Sequence, residues 1–320
     1  MMHLAKAASI LGLENFFPTD ASNGLHEQFA AHMEAEGLSF GTKEEYQFRL
    51  ELFQKKDAEI KFWNNQQDSY RLGHNMFSTM TEAESKKWLG LNLPIDQDIQ
   101  ATIFDESDNG ATKDWRSAGG VNSVKNQGGC GSCWAFGATA GTEHAHWRAS
   151  GSLLNLSEQQ LVDCSPYDHG CNGGFHTNAW TYLRSHPQML TSQYPYTGRA
   201  GSCRASGGSV TVSGWQSVSR GSVSQHKAAL NTGVVSIALA AGNSQFQMYR
   251  SGILDSTACP TQIDHAVAMV GYGNEGGKDY WIIRNSWGSG WGDRGYIRIA
   301  AHEGAGICGC QNYSYLVATN

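Results

Sequence analysis

The stretch QGGCGSCWAF, residues 127–136, decides the fold class of this 320-residue chain. A helix is expected to begin at Cys133 and to run to about Ser150, where Gly151 supplies a typical stop. A cysteine at a helix N-terminus is a candidate nucleophile, because the helix dipole and the unpaired N–H groups stabilise a thiolate.

Cys130 and Cys133 also fit two other chemistries that use a Cys-x-x-Cys pair. A redox pair would lie in a βαβ unit, and a zinc site would need a second Cys/His pair at metal-ligand spacing. No strand clearly precedes the motif, and the remaining cysteines are scattered along the chain. The nucleophile is therefore the favoured interpretation, and neither a metal nor a cofactor is expected.

A thiolate nucleophile needs a base, and the base needs a group that orients it. His265 in DHAVAMVGYG, residues 264–273, is the candidate base, and Asn285 in RNSWGSGWG, residues 284–292, is the candidate orienting group. A single histidine on an apolar strand is normally a core residue. The ordered occurrence of the cysteine, the histidine and the asparagine in distinctive local sequences favours catalysis instead.

Charge and cysteine content divide the chain near residues 95–112. Residues 1–109 carry 9 Lys and Arg against 18 Asp and Glu, a net charge of −9, and contain no cysteine. Residues 110–320 carry 14 against 11, a net charge of +3, and contain all eight cysteines. We therefore predict an acidic segment that docks on a weakly basic domain and is later removed from it.

Cysteine usage indicates an oxidising compartment. The triplets at Asn155 and Asn312 are candidate N-glycosylation sites, which fit a secretory route to the lysosome, the vacuole or the outside of the cell. Residues 7–13 form a short apolar run that fits either a weak signal peptide or a trimmed leader. No apolar run is long enough for a transmembrane helix, and no basic cluster indicates nucleic-acid binding.

The acidic segment is predicted to be mainly helical, since residues 44–64 contain no Gly or Pro and form one long helix. Glu45 and Arg49 lie one turn apart as an ion pair. Thr81 and Glu84 form a capping box for a second, short helix. The apolar face of the long helix is expected to hold Phe48, Leu52, Phe53, Ile60, Phe62 and Trp63.

The cysteine-rich segment is predicted to have a helical half and a strand half, with a site in the cleft between them. Helices are expected after a capping box at Ser157 and Gln160, and over residues 178–184. Strands rich in β-branched and aromatic residues are expected over residues 210–213, 234–240, 264–272, 280–285, 296–299 and 313–318.

These motifs resemble the papain and cathepsin L family of cysteine endopeptidases over nearly the whole chain, and the CNGG run at residues 171–174 and the NSWG run at residues 285–288 add to the match. The family's ERFNIN and GNFD prodomain motifs are matched by Glu45, Arg49, Phe53, Ile60, Asn64, Gly73, Asn75 and Phe77. The resemblance implies an α+β, papain-like two-domain fold. A helical left domain and a β-barrel-like right domain would follow a mainly helical inhibitory prodomain.

The resemblance further implies a latent proenzyme that is activated when its prodomain is removed. Residues 1–22 are interpreted as a leader or signal remnant, 23–108 as the inhibitory prodomain and 109–320 as the mature peptidase. The activating cut is expected at about residues 105–110. The expected partners of this monomer are protein or peptide substrates, its own prodomain and cystatin-type inhibitors.

Catalytic roles follow from the resemblance, position by position. Cys133 attacks the scissile carbonyl, His265 shares an ion pair with the thiolate and then protonates the leaving amine, and Asn285 holds the imidazole. Trp287 shields that contact from water. The Gln127 side chain and the backbone N–H of Cys133 form the oxyanion hole.

Substrate binding follows from the same resemblance. Gly173 and Gly174 present backbone groups to an extended peptide, and Asp264 also lies beside the substrate. The S2 pocket, which takes the second residue before the cut, is expected to select aliphatic or aromatic side chains. Its predicted lining is Phe175, His176, Ala238, Ile263 and Tyr313.

The resemblance also pairs the cysteines, as Cys130–Cys171, Cys164–Cys203 and Cys259–Cys308. Cys133 is then free, and Cys310 is expected to be a buried small hydrophobic residue. The sequence leaves open a swap in which Cys259 bonds to Cys310 instead.

Three positions depart from the family pattern. Lys56 stands where the helix motif usually has Asn, Thr79 where the second motif ends in Asp, and Gly110 near the usual proline of the mature N-terminus. The missing Asp puts the usual acid trigger in doubt at that position. We expect acid to release the prodomain by protonating carboxylates that pair in the complex.

Two alternative functions are weaker. An inactive relative serving as a binding or storage protein would usually have lost the nucleophile, whereas the four predicted catalytic residues are all present. An exopeptidase would need an inserted loop across one end of the cleft, and residues 171–194 contain no large insertion.

Overall fold

The computed structural model describes residues 21–93 and 100–320. Most of the predicted leader and residues 94–99 of the predicted linker lie outside these ranges. Within them no helix is both long and apolar enough to cross a bilayer.

The acidic segment begins with two helices, α1 (Ala21–Glu36) and α2 (Lys43–Gln66), so the long helix predicted over residues 44–64 is confirmed. The two helices pack around Phe29, Leu50 and Phe53. The predicted apolar face was wrong in part, because Phe48 and Phe62 are 43% and 55% exposed. Leu50, which was not assigned to that face, is buried instead.

Arg49 joins α2 to the next elements, which are β1 (Tyr70–Leu72), a 3₁₀ turn (Met76–Thr79) and α3 (Glu82–Ser85). Its guanidinium lies 2.6 Å from Glu45, as the spacing predicted, and also binds both carboxylate oxygens of Glu84 at 2.5 and 2.7 Å. Glu84 closes the predicted capping box with Thr81. One cation therefore fixes the angle between the long helix and the segment that leads into the cleft.

Replacing Arg49 with Met is expected to destabilise the acidic segment by on the order of 2 kcal/mol, because a charge-assisted, bidentate pair is lost and Glu84 keeps its charge. Urea unfolding of the full chain measures the change. The matched control is Lys86→Met, whose 2.6 Å pair with Glu82 is largely exposed and contributes little. Equal losses in the two variants would contradict the assigned role of Arg49.

Three helices of the cysteine-rich segment lie where the sequence predicted them. They are α4 (Cys133–Ser150), α5 (Glu158–Cys164) and α6 (His176–Leu183), and Gly151 ends α4 with a left-handed φ of 74°. The Ser157 hydroxyl caps α5, but the predicted capping box is incomplete. The Gln160 side chain instead binds the backbone of Pro187 and Met189.

The strands after β1 are β2 (Ala101–Thr102), β3 (Lys113–Asp114), β4 (Val212–Val218), β5 (Val235–Leu239), β6 (Tyr249–Leu254), β7 (His265–Glu275), β8 (Lys278–Arg284), β9 (Tyr296–Ala300) and β10 (Ser314–Thr319). Together with β1 of the acidic segment they form one sheet with the order β1-β6-β9-β8-β7-β5-β10-β4-β2, and β3 pairs with β7. Helices α7 (Val223–Thr232) and α8 (Ser244–Gln247) and strand β6 were not predicted.

The acidic segment docks through backbone pairing and side-chain hydrogen bonds. Strand β1 pairs with β6, and the Asn75 side chain donates to the Gln247 carbonyl at 2.7 Å. Lys56, one of the departures from the family pattern, donates to the Ser244 hydroxyl at 2.7 Å.

Among the described residues, the carboxylate of the acidic segment that is attracted to a cation of the second domain is Glu36, through Arg250, and the two do not form a close ion pair. Between described residues, every ion pair of residues 43–86 stays within that segment. The opposite net charges therefore act at long range, and short-range docking depends on the contacts described above.

Candidate active site

Cys133 lies at the first position of α4, and its side chain is fully buried. Cys130 is bonded to Cys171 with an S–S distance of 2.02 Å, which leaves Cys133 as a free thiol. That disulfide removes Cys130 as a redox or zinc partner for Cys133. Among the described side chains, no three His, Cys, Asp or Glu residues converge on a point that suits a metal ion.

The other disulfides are Cys164–Cys203 and Cys259–Cys308, the pairs that the resemblance implied. Cys310 is a free thiol and is fully buried, so the structure does not contain the alternative bond to Cys259.

The antiparallel pairing of β7 with β8 brings His265, at the start of β7, next to Asn285, directly after the end of β8. The Asn285 Oδ1 accepts the Ser286 N–H at 2.8 Å and lies 2.8 Å from His265 Nε2. Because Oδ1 can only accept, Nε2 carries the proton of the neutral ring, and Nδ1 keeps its lone pair. Nδ1 has no hydrogen-bond partner among the described residues.

Trp287 covers the contact between the histidine and the asparagine. Its indole ring centre lies 4.8 Å from that of His265, and the side chain is only 2% exposed. Phe77 of the acidic segment packs edge-on against Trp287 at 4.7 Å. The second motif of the acidic segment is therefore seated directly behind the candidate base.

Gln127 is buried, and each part of its side chain has a partner. Its Oε1 accepts from the Ser286 hydroxyl at 2.7 Å, and its Nε2 donates to the carbonyls of Cys130 and Trp88, both at 2.9 Å. Trp88 ends the second 3₁₀ turn of the acidic segment, Lys86–Trp88. A backbone carbonyl of that segment therefore occupies the side-chain donor predicted for the oxyanion hole.

Residues 90–92 run along the cleft as an added strand. Gly174 donates to the Gly90 carbonyl at 3.1 Å and accepts from the Asn92 N–H at 2.9 Å, in a parallel bridge. The Leu91 N–H reaches the Asp264 carbonyl at 3.3 Å. Gly173 does not present its carbonyl to this strand, since that group accepts from His169 at 2.8 Å.

Burial under the acidic segment holds both reacting groups in their neutral forms. It raises the pKa of Cys133 to about 12 and, despite the hydrogen bond that His265 donates to Asn285, lowers the pKa of His265 to about 4. Since a thiolate–imidazolium pair needs the opposite shifts, the structure is that of a latent enzyme.

The predicted S2 residues lie on both sides of the cleft. Phe175 and Ala238 are fully buried, Ile263 and Tyr313 are half-buried, and the Phe175 and Tyr313 rings lie 6.3 Å apart. Leu91 of the acidic segment packs, as Tyr313 does, against the buried hydrophobic cluster that includes Phe175.

His176 is less a pocket residue than a part of the core behind the pocket. Its ring stacks on Phe175 at 4.2 Å and lies 5.0 Å from Tyr315 and 5.4 Å from Trp180. Burial lowers its pKa to about 3. The imidazole therefore contributes mainly apolar surface to this side of the cleft.

Sequence reasoning missed several residues at the site. Trp88 and Gly90 cover it, Ser286 holds Gln127, and the Arg220 guanidinium lies 4.6 Å from the centre of the Tyr313 ring. No local signal marks these residues, because their roles depend on contacts between distant parts of the chain. The position of Ser286 next to Asn285 was the only clue available.

A buried helix-terminal thiol, a histidine oriented by an asparagine and a peptide segment seated across both define a latent thiol protease. Comparisons with known proteins agree. Residues 109–318 match the model of the papain family cysteine proteases, and residues 29–85 match that of the cathepsin propeptide inhibitor domain. The chain belongs to the papain family of cysteine proteases, and it is a proenzyme whose own prodomain is its intramolecular inhibitor.

Relatives of known name support the endopeptidase class. The chain is 39% identical over 281 residues to digestive cysteine proteinase 2 of Homarus americanus, which covers 83% of this chain and 87% of that protein. It is 39% identical over 283 residues to a cathepsin L-like proteinase of Fasciola hepatica, with 84% and 86% covered. The solved structure of a digestive procathepsin L2 from Tenebrio molitor superposes with a TM-score of 0.85 at 33% identity, over 92% and 99% of the two chains.

Proposed function

We propose that this proenzyme is a cysteine endopeptidase in which Cys133, His265, Asn285 and Gln127 carry out the chemistry. The observation that supports this assignment most directly is the seated prodomain. Its Trp88 carbonyl binds Gln127, and its next residues pair with Gly174, so a peptide backbone already lies along the predicted substrate path.

The reaction proceeds once the prodomain has left and water reaches the site. A proton moves from the Cys133 thiol to His265 Nδ1, and the thiolate attacks the scissile carbonyl carbon. The Gln127 side chain and the Cys133 N–H stabilise the oxyanion of the tetrahedral intermediate. His265 returns the proton to the leaving amine, and the carbonyl re-forms as an acyl-enzyme, which water then hydrolyses.

Two assays test this assignment. An epoxide that alkylates active-site thiols should label the activated enzyme at one site, and the label should be lost in Cys133→Ala. An internally quenched peptide blocked at both ends should be cleaved if the enzyme is an endopeptidase. Failure to cleave it, together with cleavage of the unblocked peptide, would indicate an exopeptidase.

The S2 pocket is proposed to select aliphatic or aromatic side chains. The support for this is the apolar wall formed by Phe175 and Ala238, and the packing of Leu91 against the Phe175 cluster. A peptide library that varies the second residue before the cut should show Leu, Val or Phe as the leading residues. A profile led by arginine would overturn the assignment.

The activating cut is proposed to fall within residues 105–110. Phe104 is anchored by two hydrogen bonds to the Gln225 side chain, and Asn109 is anchored to the Ser224 carbonyl at 2.9 Å. Residues 105–108 between these anchors are exposed. N-terminal sequencing after acid incubation should therefore begin at or just after these residues, and Cys133→Ala should not process itself.

A secretory destination, either the lysosome, the vacuole or the cell exterior, is proposed from the three disulfides. Glycosylation is proposed at Asn155, whose side chain is exposed, and at Asn312, which is half-buried. The activated enzyme is proposed to act on protein or peptide substrates as a monomer and to be inhibited by cystatin-type proteins. Endoglycosidase treatment and gel filtration of the secreted protein test the glycosylation and the oligomeric state.

A further inference from the structure

The Tyr196 hydroxyl lies behind the two segments that carry the proposed oxyanion donors. It donates to the backbone carbonyl of Gln127 at 2.7 Å, and since its proton is used there, it accepts from the Ser132 hydroxyl, also at 2.7 Å. Its ring packs edge-on against Phe136 at 5.0 Å. One hydroxyl group therefore joins the residue before Cys133 to the residue that supplies the side-chain donor.

Ser132 occupies the N-cap position of α4, but its side chain makes no capping hydrogen bond. A serine at this position normally accepts from an N–H of the first helical turn. Here the hydroxyl is directed to Tyr196 instead. Because the peptide unit between Ser132 and Cys133 carries the Cys133 N–H, holding Ser132 also holds the direction of that donor.

The chain between the two donors does not hold their spacing by itself. Gly128 and Gly129 follow Gln127, and a Cβ atom at either position would meet no atom within 4 Å. Gly128 also adopts a left-handed φ of 62°. Glycine restricts the backbone least, so the spacing depends on contacts from outside the loop. These are the Cys130–Cys171 disulfide, the Ser286–Gln127 hydrogen bond and the Tyr196 hydroxyl, and the last of them bonds Gln127 and Ser132 directly.

We propose that Tyr196 is a positioning residue for the oxyanion hole, holding Gln127 and the Cys133 N–H at the spacing that the tetrahedral intermediate requires. This inference rests on the proposed function, in which those two groups are the oxyanion donors. Burial raises the pKa of Tyr196 to about 12, so the hydroxyl keeps its proton at acidic and neutral pH.

The test uses full-length Tyr196→Phe, activated by acid, with active sites counted by epoxide titration. We expect kcat to fall about 10-fold with KM within about twofold, less than the loss of a whole oxyanion donor. The inhibition constant of a peptide aldehyde, whose thiol adduct carries the oxyanion, should rise by the same factor. The rate of epoxide alkylation, which forms no such adduct, should stay unchanged.

Two further variants separate positioning from general damage. Tyr194 lies in the same loop, and its hydroxyl donates to Asp163 at 2.8 Å and accepts from the Arg204 N–H. Tyr194→Phe removes this hydroxyl and should leave the inhibition constant of the peptide aldehyde unchanged. Ser132→Ala removes the other partner of Tyr196 and should reproduce the weaker aldehyde binding. If Tyr196→Phe does not fold, Ser132→Ala still tests whether the hydrogen bond between Ser132 and Tyr196 affects aldehyde binding.

Three results would overturn the proposal: unchanged aldehyde binding, equal losses in aldehyde binding and alkylation, or an equal effect of Tyr194→Phe. Gln127→Ala identifies which statement has failed. If Gln127→Ala weakens the aldehyde and Tyr196→Phe does not, the role of Tyr196 is wrong and the oxyanion assignment stands. If Gln127→Ala leaves the aldehyde constant unchanged, the oxyanion assignment itself is wrong.

Discussion

Gly90→Ala should abolish latency, so that Cys133 in the intact proenzyme reacts with an alkylating epoxide at neutral pH about 100 times faster than in the wild-type proenzyme. A Cβ atom at Gly90 would lie 1.9 Å from the Gly131 carbonyl oxygen and 2.3 Å from its carbon. Both are backbone atoms next to the nucleophile's helix, so neither side can yield without moving the prodomain strand. The strand would therefore move away from the cleft and expose Cys133 and Gly174.

The measurement is the second-order rate of epoxide labelling of uncleaved proenzyme at pH 7, with gel electrophoresis to confirm that the chain is intact. Gly41→Ala is the control, because a Cβ at that position meets no atom within 4 Å and the backbone is unstrained. If Gly90→Ala were labelled as slowly as wild type, the strand at residues 90–92 could not be what covers the thiol.

Replacing His32 and His74 together with Gln should lower the pH of half-maximal activation by about one unit. The two rings lie 5.8 Å apart inside the prodomain, and His74 stacks on the buried Phe53 at 3.9 Å. Burial lowers the pKa of His74, and burial with the nearby His74 lowers the pKa of His32 to about 4. Protonating both rings places two like charges beside an apolar ring.

The groups that face these two rings determine how much protonation of each histidine destabilises the prodomain. Asp57 lies 3.4 Å from His74 Nε2 and partly offsets its positive charge, but Asp57 is also paired with Lys61 at 2.6 Å. The Ser78 hydroxyl lies 2.9 Å from His74 Nδ1. His32 Nε2 is buried with no hydrogen-bond partner among the described residues, so its protonation is the less compensated of the two.

The sign of the pH dependence follows from these pKa shifts. A histidine with a lower pKa in the folded prodomain than in the unfolded chain binds its proton preferentially when unfolded. Its stabilisation is full above pH 6.5 and is lost as the pH falls from 6.5 towards 4, on the order of 3 kcal/mol for His32. Glu84, whose pKa is lowered to about 2 by Arg49, loses its contribution only below pH 4.5.

The activation rate of the proenzyme, measured from pH 4 to 7, tests this order. His146→Gln, at a half-buried histidine of α4 far from the prodomain, should keep the wild-type midpoint. An unchanged midpoint in the double variant would mean that carboxylates control activation. No carboxylate of residues 43–86 forms an ion pair with a described residue of the mature domain. Glu36 is attracted to Arg250, but partial burial raises its pKa, so acid does not destabilise the folded prodomain through this carboxyl, and the structure favours the histidines.

Local sequence was sufficient for the helices that carry the site. Residues 43–66 form the predicted long helix, α4 begins at the nucleophile and ends at Gly151, and Thr81 with Glu84 caps α3. Each of these depends on side chains within one or two turns of one another. Helix α7 and strand β6 were missed because their apolar positions are too few to show a period, and packing on the sheet decides their form.

Long-range contacts could not be predicted from residue types. The face of α2 that packs on α1 includes Leu50 and excludes Phe48 and Phe62, because the position of α1 decides which side is covered. The opposite charges of the two segments suggested ion pairs, yet the close docking contacts are strand pairing and hydrogen bonds to uncharged acceptors. Net charge reports a long-range field, whereas contacts depend on which side chains meet.

Residue types and their order along the chain were enough to identify the reactive groups of this proenzyme: a cysteine at a helix start, a histidine and an asparagine in order, a glutamine upstream, and an acidic segment without cysteine in front of them. Only the tertiary structure decided that a backbone carbonyl of that segment takes the amide of Gln127, and that one tyrosine hydroxyl joins both proposed oxyanion donors. Residues 39 to 69 positions apart form these hydrogen bonds, and contacts over such distances along the chain leave no local pattern in the sequence.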